Sequence, residues 1–387
     1  MSRRLRVLFA IGSLAGGGSE RQTIRILHQL DRTRFEPSLY LLDRSGEFLR
    51  DVPDDVPVIA FSDDAQPGGI YVPGKIFRRQ VDHLSRTLGT GAFDVLYDRT
   101  ILMACVGGPA SRRANVRRVA AVVADPQRDV RDSFQRFRWA KRRILQRGYD
   151  QAASVVANSE GLRRAVTAEY RLAENKVVAI PNGFDFEALE QLASAESPVS
   201  FEPGFTHVVA LGRFSPEKGI ADLLRSVRSL VFDRGRNDIV LWLVGSGPEE
   251  PVYRELIAQT EGLERHVRFT GFQTNPFAVL SRASVFCLSS RSEGAPNALV
   301  EAMACGVPVV STDCAHGPRE ILADGQLGEL VSPGDCTAMA DAVERVLDDE
   351  PSARRRAERA AESVRERFDI AQTTRELEQL LMSVAPS

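Results

Sequence analysis

The stretch SEGAPNALVEAMACGVPVVS, residues 292–311, decides the fold class of this chain. Pro296 has the restricted backbone that suits the first position of a helix, and Gly306 suits the position just past the last turn. The apolar run from Val307 to Ser311 then has the composition of a buried strand. The stretch therefore predicts a loop, a helix and a strand in succession, which is the repeating unit of an α/β domain.

The start of this helix is a candidate anion site. The backbone N–H groups of Asn297, Ala298 and Leu299 would lack partners inside the helix and would point at a negative group such as a pyrophosphate. Glu301, about one turn further along, can accept hydrogen bonds from the adjacent hydroxyls of a ribose. Glu293 lies in the preceding loop, where its carboxylate can reach a different group. The alternative is a surface helix whose acidic residues are simply solvated.

Length and composition indicate a globular protein of two domains. A chain of 387 residues exceeds one ordinary domain, and its contents of 43% hydrophobic and 26% charged residues are typical of globular proteins. The sequence has no apolar run of about 18 residues and opens without the apolar stretch of a signal peptide, so we expect a cytoplasmic protein. The five cysteines form no C-x2-C pair, and we expect neither a disulfide framework nor a zinc site.

Short apolar runs alternate with segments of helical spacing along the chain, which predicts parallel sheets with helical connections. In the first half the predicted strands are Val7–Ile11, Ser38–Leu42, Val56–Phe61, Val95–Tyr97, Val119–Val123 and Val155–Ala157. In the second half they are Val208–Leu211, Val240–Val244, Val267–Phe269, Val285–Leu288 and Val307–Ser311. We expect two doubly wound α/β domains that bind ligands beyond the carboxyl ends of their strands.

A second motif, LGRFSPEKG at residues 211–219, follows a predicted strand and leads into a helical pattern. It carries Arg213 and Lys218 in the intervening loop. A guanidinium holds phosphate oxygens with two parallel hydrogen bonds, and an ammonium adds a movable charge. Together the two side chains would neutralise a diphosphate leaving group. The alternative is a pair of solvated basic residues.

These motifs resemble glycosyltransferase family four, a family of retaining enzymes with the GT-B fold. Glu293 and Glu301 match its Glu-x7-Glu signature, and residues 211–219 resemble its Gly-Arg…Glu-Lys-Gly segment. The resemblance implies two Rossmann-like domains that face each other across a cleft. It also implies that Glu293 lies near the donor sugar and that Glu301 binds the nucleotide ribose. Arg213 and Lys218 would bind the donor diphosphate.

The same resemblance implies domain limits, namely an acceptor-binding domain of residues 1–190, a donor-binding domain of residues 191–368, and a helix in residues 369–387 that returns to the first domain.

Further donor-side residues follow from the resemblance. Gly294 belongs to the signature loop. Gly17 and Gly18 belong to a run that resembles the family's Gly-Gly-x-Glu loop near the donor phosphates, although a flexible turn is the alternative. Gly271 and Phe272 end a predicted strand where relatives place backbone against the base.

The first domain carries fewer recognisable residues. Asn182 belongs to a Pro-Asn-Gly segment that resembles the family's, although Asn-Gly turns are also common as structural features. Many relatives carry a histidine on the cleft side of this domain, and Asp125 stands in the corresponding run here. Asp125 and Asn182 are therefore the candidates for the acceptor side.

The expected reaction moves a sugar from a nucleotide sugar, a UDP-hexose or a UDP-N-acetylhexosamine, to a hydroxyl of a glycan or a polyprenyl-diphosphate-linked acceptor. The chain has no Asp-x-Asp pair, so we expect Arg213, Lys218 and the helix start to neutralise the diphosphate without a metal or other cofactor. Two alternatives stay open. One is a sugar-nucleotide epimerase or phosphorylase-like enzyme of the same architecture, and the other is a non-catalytic nucleotide-sugar binding protein.

Positive charge is concentrated in one part of the first half. Residues 112–147 contain 12 Lys/Arg and 3 Asp/Glu, whereas the net charge of the whole chain is −2. Within residues 131–147, the apolar side chains that share one helical face are Phe134, Phe137, Ile144 and Leu145. Lys141 interrupts this face and Trp139 points away from it. Such a helix either docks on its own domain or lies on an anionic membrane surface. Nucleic acid is less favoured because no binding motif for it accompanies the charge.

Overall fold

The computed structural model describes residues 3–15, 17–64, 74–126 and 138–386. The chain divides into two compact units, which we call the first unit (residues 1–183 and 370–387) and the second unit (residues 184–369). The helix Phe186–Ser194, which the predicted domain limit at residue 190 would cut, therefore lies wholly in the second unit.

A seven-stranded parallel sheet forms the centre of the first unit as far as the structure describes it. Its strands are β1 (Leu5–Ile11), β2 (Phe35–Leu41), β3 (Val58–Ala60), β4 (Val95–Arg99), β5 (Arg117–Val122), β6 (Ser154–Ala157) and β7 (Val177–Ala179). Their order across the sheet is β3-β2-β1-β4-β5-β6-β7. The winding direction reverses between β1 and β4, and open α/β sheets bind ligands at the carboxyl ends of strands beside such a reversal.

Helices cover both faces of this sheet because the βαβ connection places one helix between successive parallel strands. Among the described residues, the helices that precede β7 are α1 (Gly18–Gln29), α2 (Lys75–Thr90), α3 (Ile101–Ala114), α4 (Arg138–Gln151) and α5 (Glu160–Tyr170). The core on one face joins Val7 and Phe9 of β1 to Leu27 of α1, and the core on the other face joins Leu8 of β1 to Leu84 of α2. This alternation along β1 is the period of two that a strand with two covered faces requires.

The second unit repeats this architecture with a six-stranded parallel sheet in its described residues. Its strands are β8 (Thr206–Leu211), β9 (Ile239–Val244), β10 (Val267–Gly271), β11 (Val285–Leu288), β12 (Val309–Thr312) and β13 (Glu329–Val331). Their order is β10-β9-β8-β11-β12-β13, with the reversal between β8 and β11. The predicted fold class, two doubly wound α/β units, is confirmed.

The helices of the second unit again lie on both faces of the sheet. They are α6 (Phe186–Ser194), α7 (Ile220–Arg228), α8 (Glu250–Ala258), α9 (Phe277–Leu280), α10 (Asn297–Ala304), α11 (Pro318–Ile321), α12 (Cys336–Asp348) and α13 (Glu350–Arg367). In β9, Leu241 and Leu243 pack on one face while Val240 and Trp242 pack on the other.

The final helix, α14 (Ile370–Val384), packs on the first unit, as predicted. Leu377 and Leu381 are buried in the same core as Leu27. The buried Glu378 carboxylate accepts a hydrogen bond from the Asp31 N–H at 2.7 Å. Apolar burial and a charge-assisted hydrogen bond therefore both hold this helix on the first unit.

The decisive stretch forms the predicted helix, with small differences at both ends. Pro296 is the residue before the helix rather than its first residue. Gly306 has φ +71, and the N–H groups of Gly306 and Val307 donate back to Met303 and Ala302, which is the glycine-ended motif expected there. Because the Val307 N–H donates to the Ala302 carbonyl at the helix end, β12 begins at Val309 instead of Val307. The three-residue strands β7 and β13 were not predicted.

Candidate functional site

The loop between β8 and α7 carries the first group of candidate residues. After Leu211 the chain passes Arg213 and makes a short 3-10 turn at Pro216–Lys218. Gly219 follows with φ +63, and a Cβ atom there would lie 2.1 Å from the carbonyl oxygen of Ser289. Glycine therefore allows this loop to approach the loop after β11 closely, in a conformation that other residues rarely adopt.

Hydrogen bonds hold these two loops together. The Ser289 hydroxyl donates to the Lys218 carbonyl at 2.9 Å, and the Arg291 N–H donates to the Glu217 carbonyl at 2.7 Å. The Arg291 guanidinium also donates to both carboxylate oxygens of the buried Asp222, at 2.7 to 3.0 Å. Two segments that are distant in the sequence thus form one wall at the carboxyl ends of β8 and β11.

Lys218 and Glu293, which belong to different motifs, are in direct contact on this wall. The Lys218 ammonium donates to Glu293 Oε1 at 2.7 Å, and the Ser290 hydroxyl donates to the same oxygen at 2.6 Å. The Glu293 side chain is 10% exposed and that of Lys218 is 27% exposed. Ser290 was not predicted as a site residue, although it lies only three residues before Glu293 in the sequence.

The ion pair determines the protonation of Lys218. Burial disfavours the charged ammonium, but attraction to the Glu293 carboxylate outweighs burial, and the pKa of Lys218 is raised above its ordinary value of 10.5. Lys218 is therefore a full positive charge at neutral pH. A positive side chain fixed by a partly buried carboxylate can stabilise negative charge that develops beside it.

The start of α10 lies in the loop that follows Glu293. Its first turn contains no acidic residue and no side-chain cap, and the Ala298 N–H has no hydrogen-bond partner among the described residues. The expectation of a free N–H at Leu299 was wrong, because this group donates to the Pro296 carbonyl at 3.1 Å. This difference follows from the position of Pro296, whose carbonyl accepts the first tight bond of the helix. Asn297 and Ala298 remain the candidates that could face an anion.

Glu301 and Gly294 frame this helix start. Glu301 is 4% exposed, in the second turn of α10, and it shares a helical face with Asn297 one turn earlier. Acidic side chains are seldom buried without a specific role or partner. Gly294 is buried in the loop between Glu293 and the helix.

Arg213 differs from Lys218 in its surroundings. Its side chain is exposed at the carboxyl end of β8 and makes no ion pair within the part of the chain that the structure describes. The two basic residues of one motif are thus held differently, one in an ion pair and one in solvent.

The loops after β9 and β10 complete this edge of the second unit. The Phe214 N–H donates to the Ser246 carbonyl at 2.9 Å, and the Gly245 N–H donates to the Gly271 carbonyl at 2.9 Å. Gly271 ends β10, and the Phe272 side chain that follows is 40% exposed. An exposed aromatic ring at a strand end is available for stacking on a planar ligand.

In the first unit, Gly17 and Gly18 begin α1. Gly17 is the residue before the helix and Gly18 is its first residue, with Glu20 in the first turn. Both glycines therefore lie at the carboxyl end of β1, beside the reversal of the sheet.

The two acceptor-side candidates are placed differently from each other. Asn182 is buried, and its amide oxygen accepts a hydrogen bond from the guanidinium of Arg99 at 2.6 Å. Arg99 is the last residue of β4, is 5% exposed, and was missed by the sequence analysis because it lies in no motif. Asp125 is half-buried three residues after β5.

The basic segment is described only from residue 138, so Phe134 and Phe137, two of the four residues of the predicted apolar face, lie outside the described residues. In α4, Leu145 is fully buried in the core of the first unit and Ile144 packs beside it. Trp139 is 70% exposed. The described part of the predicted face thus packs on its own unit, while the tryptophan outside that face is the apolar side chain open to solvent.

The described residues contain no group of three or more His, Cys, Asp or Glu side chains arranged to hold a metal ion. No helix among them has both the length and the apolar character needed to cross a bilayer.

Comparison with known proteins gives matches over most of the chain. The family model for "Glycosyltransferase Family 4" matches residues 16–188, and the model for "Glycosyl transferases group 1" matches residues 206–349. A phosphatidyl-myo-inositol mannosyltransferase of Mycobacterium leprae is 34% identical over 54% of this chain and 54% of its own length. The lipopolysaccharide core biosynthesis glycosyltransferase LpsD of Rhizobium meliloti is 34% identical over 42% of this chain and 45% of its own length. The chain thus spans about half the length of these curated relatives.

Solved structures resemble the whole fold. The Anabaena protein HepE in complex with UDP and glucose is 22% identical, with a TM-score of 0.79 over 98% of this chain and 100% of that chain. This likeness shows the fold, and the two family models cover the motifs of both units. The chain belongs to glycosyltransferase family four.

Proposed function

We propose that the protein transfers a sugar from a nucleotide sugar to a hydroxyl of a glycan or of a lipid-linked acceptor. The observation that carries this proposal is the contact between Lys218 and Glu293 at 2.7 Å, beside the uncapped start of α10. This contact places the Lys218 ammonium, a group that can bind phosphate, and the Glu293 carboxylate, a group that can bind hydroxyls, at the same edge of the second unit's sheet. Relatives named as mannosyl- and lipopolysaccharide-core glycosyltransferases, and the UDP and glucose bound to HepE, support the same class of donor.

The proposed donor is a UDP-hexose or a UDP-N-acetylhexosamine. Its ribose would hydrogen-bond to the Glu301 carboxylate, and its base would lie along Gly271 and Phe272. The diphosphate would face Arg213, Lys218 and the backbone at Asn297 and Ala298. This arrangement of charges suits a ligand with two anionic phosphates between two hydroxylated rings.

The proposed chemistry retains the configuration at the anomeric carbon. The acceptor oxygen attacks this carbon from the face that the diphosphate leaves, the bond from the carbon to the phosphate oxygen breaks, and the acceptor proton passes to the leaving oxygen. Glu293 would hold hydroxyls of the donor sugar, while Lys218 and Arg213 stabilise the charge on the leaving diphosphate. The negative charge is thereby neutralised by side chains, and we propose that the reaction needs no metal or other cofactor.

Gly17 and Gly18 remain candidates for the donor side, and Asp125 and Asn182 remain candidates for the acceptor side. Because the Asn182 amide oxygen already accepts a hydrogen bond from Arg99, we favour a positioning role for Asn182 over a direct contact with the acceptor. Asp125 has the exposure that a contact with an acceptor hydroxyl requires.

A donor panel tests the proposal. Purified protein is incubated with UDP-, GDP- and ADP-sugars and a set of glycan acceptors, and NMR follows the anomeric configuration of product. We expect transfer with retention from a UDP-sugar. Donor turnover without an acceptor would indicate the epimerase instead, and donor binding without turnover on any acceptor would indicate a binding protein.

Metal dependence is tested separately. We expect the transfer rate to be unchanged by excess EDTA. Loss of activity in EDTA with recovery on adding manganese would show that the side-chain neutralisation described above is insufficient.

A further inference from the structure

The two arginines that are buried in the described part of the chain lie on neighbouring strands of the first unit. Arg118 of β5 is 3% exposed, and its guanidinium donates two hydrogen bonds to the carboxylate of the buried Asp98. Buried arginines normally have such a partner, because burying a charge costs free energy that an opposite charge offsets. Arg99, the last residue of β4, is 5% exposed but forms no ion pair within the described residues. Arg99 therefore carries a buried charge that these residues do not neutralise.

The hydrogen bonds of Arg99 go to uncharged groups. One terminal nitrogen donates to the Asn182 amide oxygen at 2.6 Å, and the other lies 3.4 Å from the hydroxyl oxygen of Tyr97. The Nε–H group of Arg99 is buried and has no hydrogen-bond partner in the described part of the chain. A guanidinium stays protonated in proteins, and a hydrogen bond left unmade by a buried charged group is costly. Arg99 thus needs both a counter-ion and an acceptor for Nε–H.

A small cavity of about 20 Å³ adjoins Arg99 at the carboxyl ends of β4, β5 and β6. Its wall includes Val123 after β5, Asn158 after β6, Ile26 of α1 and Leu377 of α14. The side-chain oxygen of Asn158 is buried and likewise has no hydrogen-bond partner as far as the structure describes the chain. A space of this size holds roughly one or two water-sized groups. Two unpartnered polar groups therefore belong to the wall of one cavity, at the sheet edge where α/β folds bind ligands.

We propose that this cavity binds a small monovalent anion such as chloride, and that Arg99 is its counter-ion. The anion would accept the hydrogen bond from Nε–H and offset the buried positive charge. A water molecule beside the anion can donate one O–H to the anion and the other to the Asn158 oxygen. Water alone would satisfy both hydrogen bonds but would leave the charge of Arg99 uncompensated. The small volume favours a single-atom ion over phosphate or sulfate.

Anion binding would have a structural consequence within the first unit. Arg99 holds Asn182, which lies beyond β7, and the cavity wall includes Thr373 and Leu377 of the final helix α14. A bound anion would therefore stabilise the strand ends together with the helix that packs on them. Anion binding does not require the proposed transfer reaction, so the two proposals can fail separately.

Thermal unfolding in chloride and in gluconate tests the proposal with the full chain. Ionic strength and pH are held constant while chloride replaces gluconate, an anion too large for the cavity. Chloride should raise the melting temperature along a saturation curve, by about 5–10 °C at roughly 100 times the dissociation constant. Broadening of the chloride NMR signal by the protein gives a second measurement. A wild-type melting temperature that does not depend on chloride would show that water alone occupies the cavity, and would overturn the proposal.

A variant with a built-in counter-ion gives the sharpest test. Asn158→Asp places a carboxylate of nearly the same shape in the cavity wall that it shares with Arg99. This variant should melt above wild type in gluconate and should no longer respond to chloride, because the carboxylate replaces the anion. Asn175→Asp, at an exposed position of the same unit, should keep the wild-type response. A full chloride response in Asn158→Asp would contradict the proposed site.

Arg99→Gln removes the charge, while the new amide can still donate to Asn182. The difference in melting temperature between chloride and gluconate should disappear, and the chloride NMR signal should be less broadened than with wild type. Arg355→Gln, which changes an exposed arginine of α13, should keep both effects. Retention of the full chloride response in Arg99→Gln would overturn the assignment of the site. If Arg99→Gln does not fold, the response of Asn158→Asp decides the question.

Discussion

Replacing Lys218 by methionine would separate the structural and catalytic contributions of this residue. Methionine keeps an unbranched side chain of similar size but removes the charge. The Glu293 carboxylate, 10% exposed, would then keep the hydrogen bond from Ser290 and lose its counter-ion. Removing one partner of a fully buried ion pair costs ~3–5 kcal/mol. Since Lys218 is 27% exposed, solvent screening reduces the expected loss of unfolding free energy to about 2 kcal/mol.

For a unit of this size, such a loss lowers the melting temperature by about 4–8 °C. Adding Glu293→Gln removes the uncompensated charge, and the amide oxygen can still accept the hydrogen bond from Ser290. The double variant Lys218→Met/Glu293→Gln should therefore recover most of the lost melting temperature. Its kcat/KM should nevertheless stay ~10²–10³-fold below wild type, because one charge that stabilises the leaving diphosphate is absent.

Thermal unfolding and initial rates on the best donor measure the two effects, with Arg355→Met as a surface control. Recovery of activity together with stability in the double variant would refute the catalytic role and leave the pair as a structural contact. The pH dependence gives a second check. The folded pKa of Lys218 is raised, so the pair stabilises the fold fully below the ordinary pKa of 10.5 and loses this effect as the pH rises through the folded pKa. The difference in melting temperature between wild type and Lys218→Met should thus be constant near neutral pH and shrink only in strong alkali.

Three further predictions concern the second unit. Gly219→Ala should destabilise the protein more than Gly235→Ala does, as measured by urea unfolding. Both glycines have positive φ, but an added Cβ would meet the Ser289 carbonyl at Gly219 and open space at Gly235. Equal effects would contradict the close approach of the two loops. Phe272→Ala should weaken UDP binding in calorimetry by ~1–3 kcal/mol if the ring stacks on the base, and Phe232→Ala, at a similar exposure, should not change it. Burial, and to a smaller extent the negative charge of Glu301, raise the pKa of the Cys305 thiol to about 12. This thiol should therefore resist alkylation at about pH 8 in the folded protein and react at once in urea. Fast labelling of the native protein would argue against its burial.

The fold was largely predictable because its signals are local. Apolar runs separated by helical spacing identify buried parallel strands, and Gly306 ends α10 with the positive φ that its position requires. The three-residue strands β7 and β13 were missed, whereas β3, of the same length, was predicted because it lies within the longer apolar run Val56–Phe61.

The site was predictable in its motifs but not in its contacts. The hydrogen bond from Ser290 to Glu293 depends on how one loop turns, and the hydrogen bond from Arg99 to Asn182 depends on how two segments distant in the sequence meet in space. The Leu299 N–H was wrongly expected to be free because a shift of one residue at Pro296 decides which donor is used. Such details follow from backbone geometry, which local propensity specifies only to within a residue or two.

The different surroundings of Arg213 and Lys218 imply that the two charges act at different stages. Lys218 is already neutralised by Glu293, so before a donor arrives it contributes little long-range attraction. Arg213 is exposed without an ion pair in the described residues, and its field reaches into solvent. Loss of Arg213 should therefore slow donor association and reduce its dependence on salt. Loss of Lys218 should act mainly on kcat, because its ammonium must be shared with the diphosphate as negative charge grows there, and this sharing is strongest in the transition state.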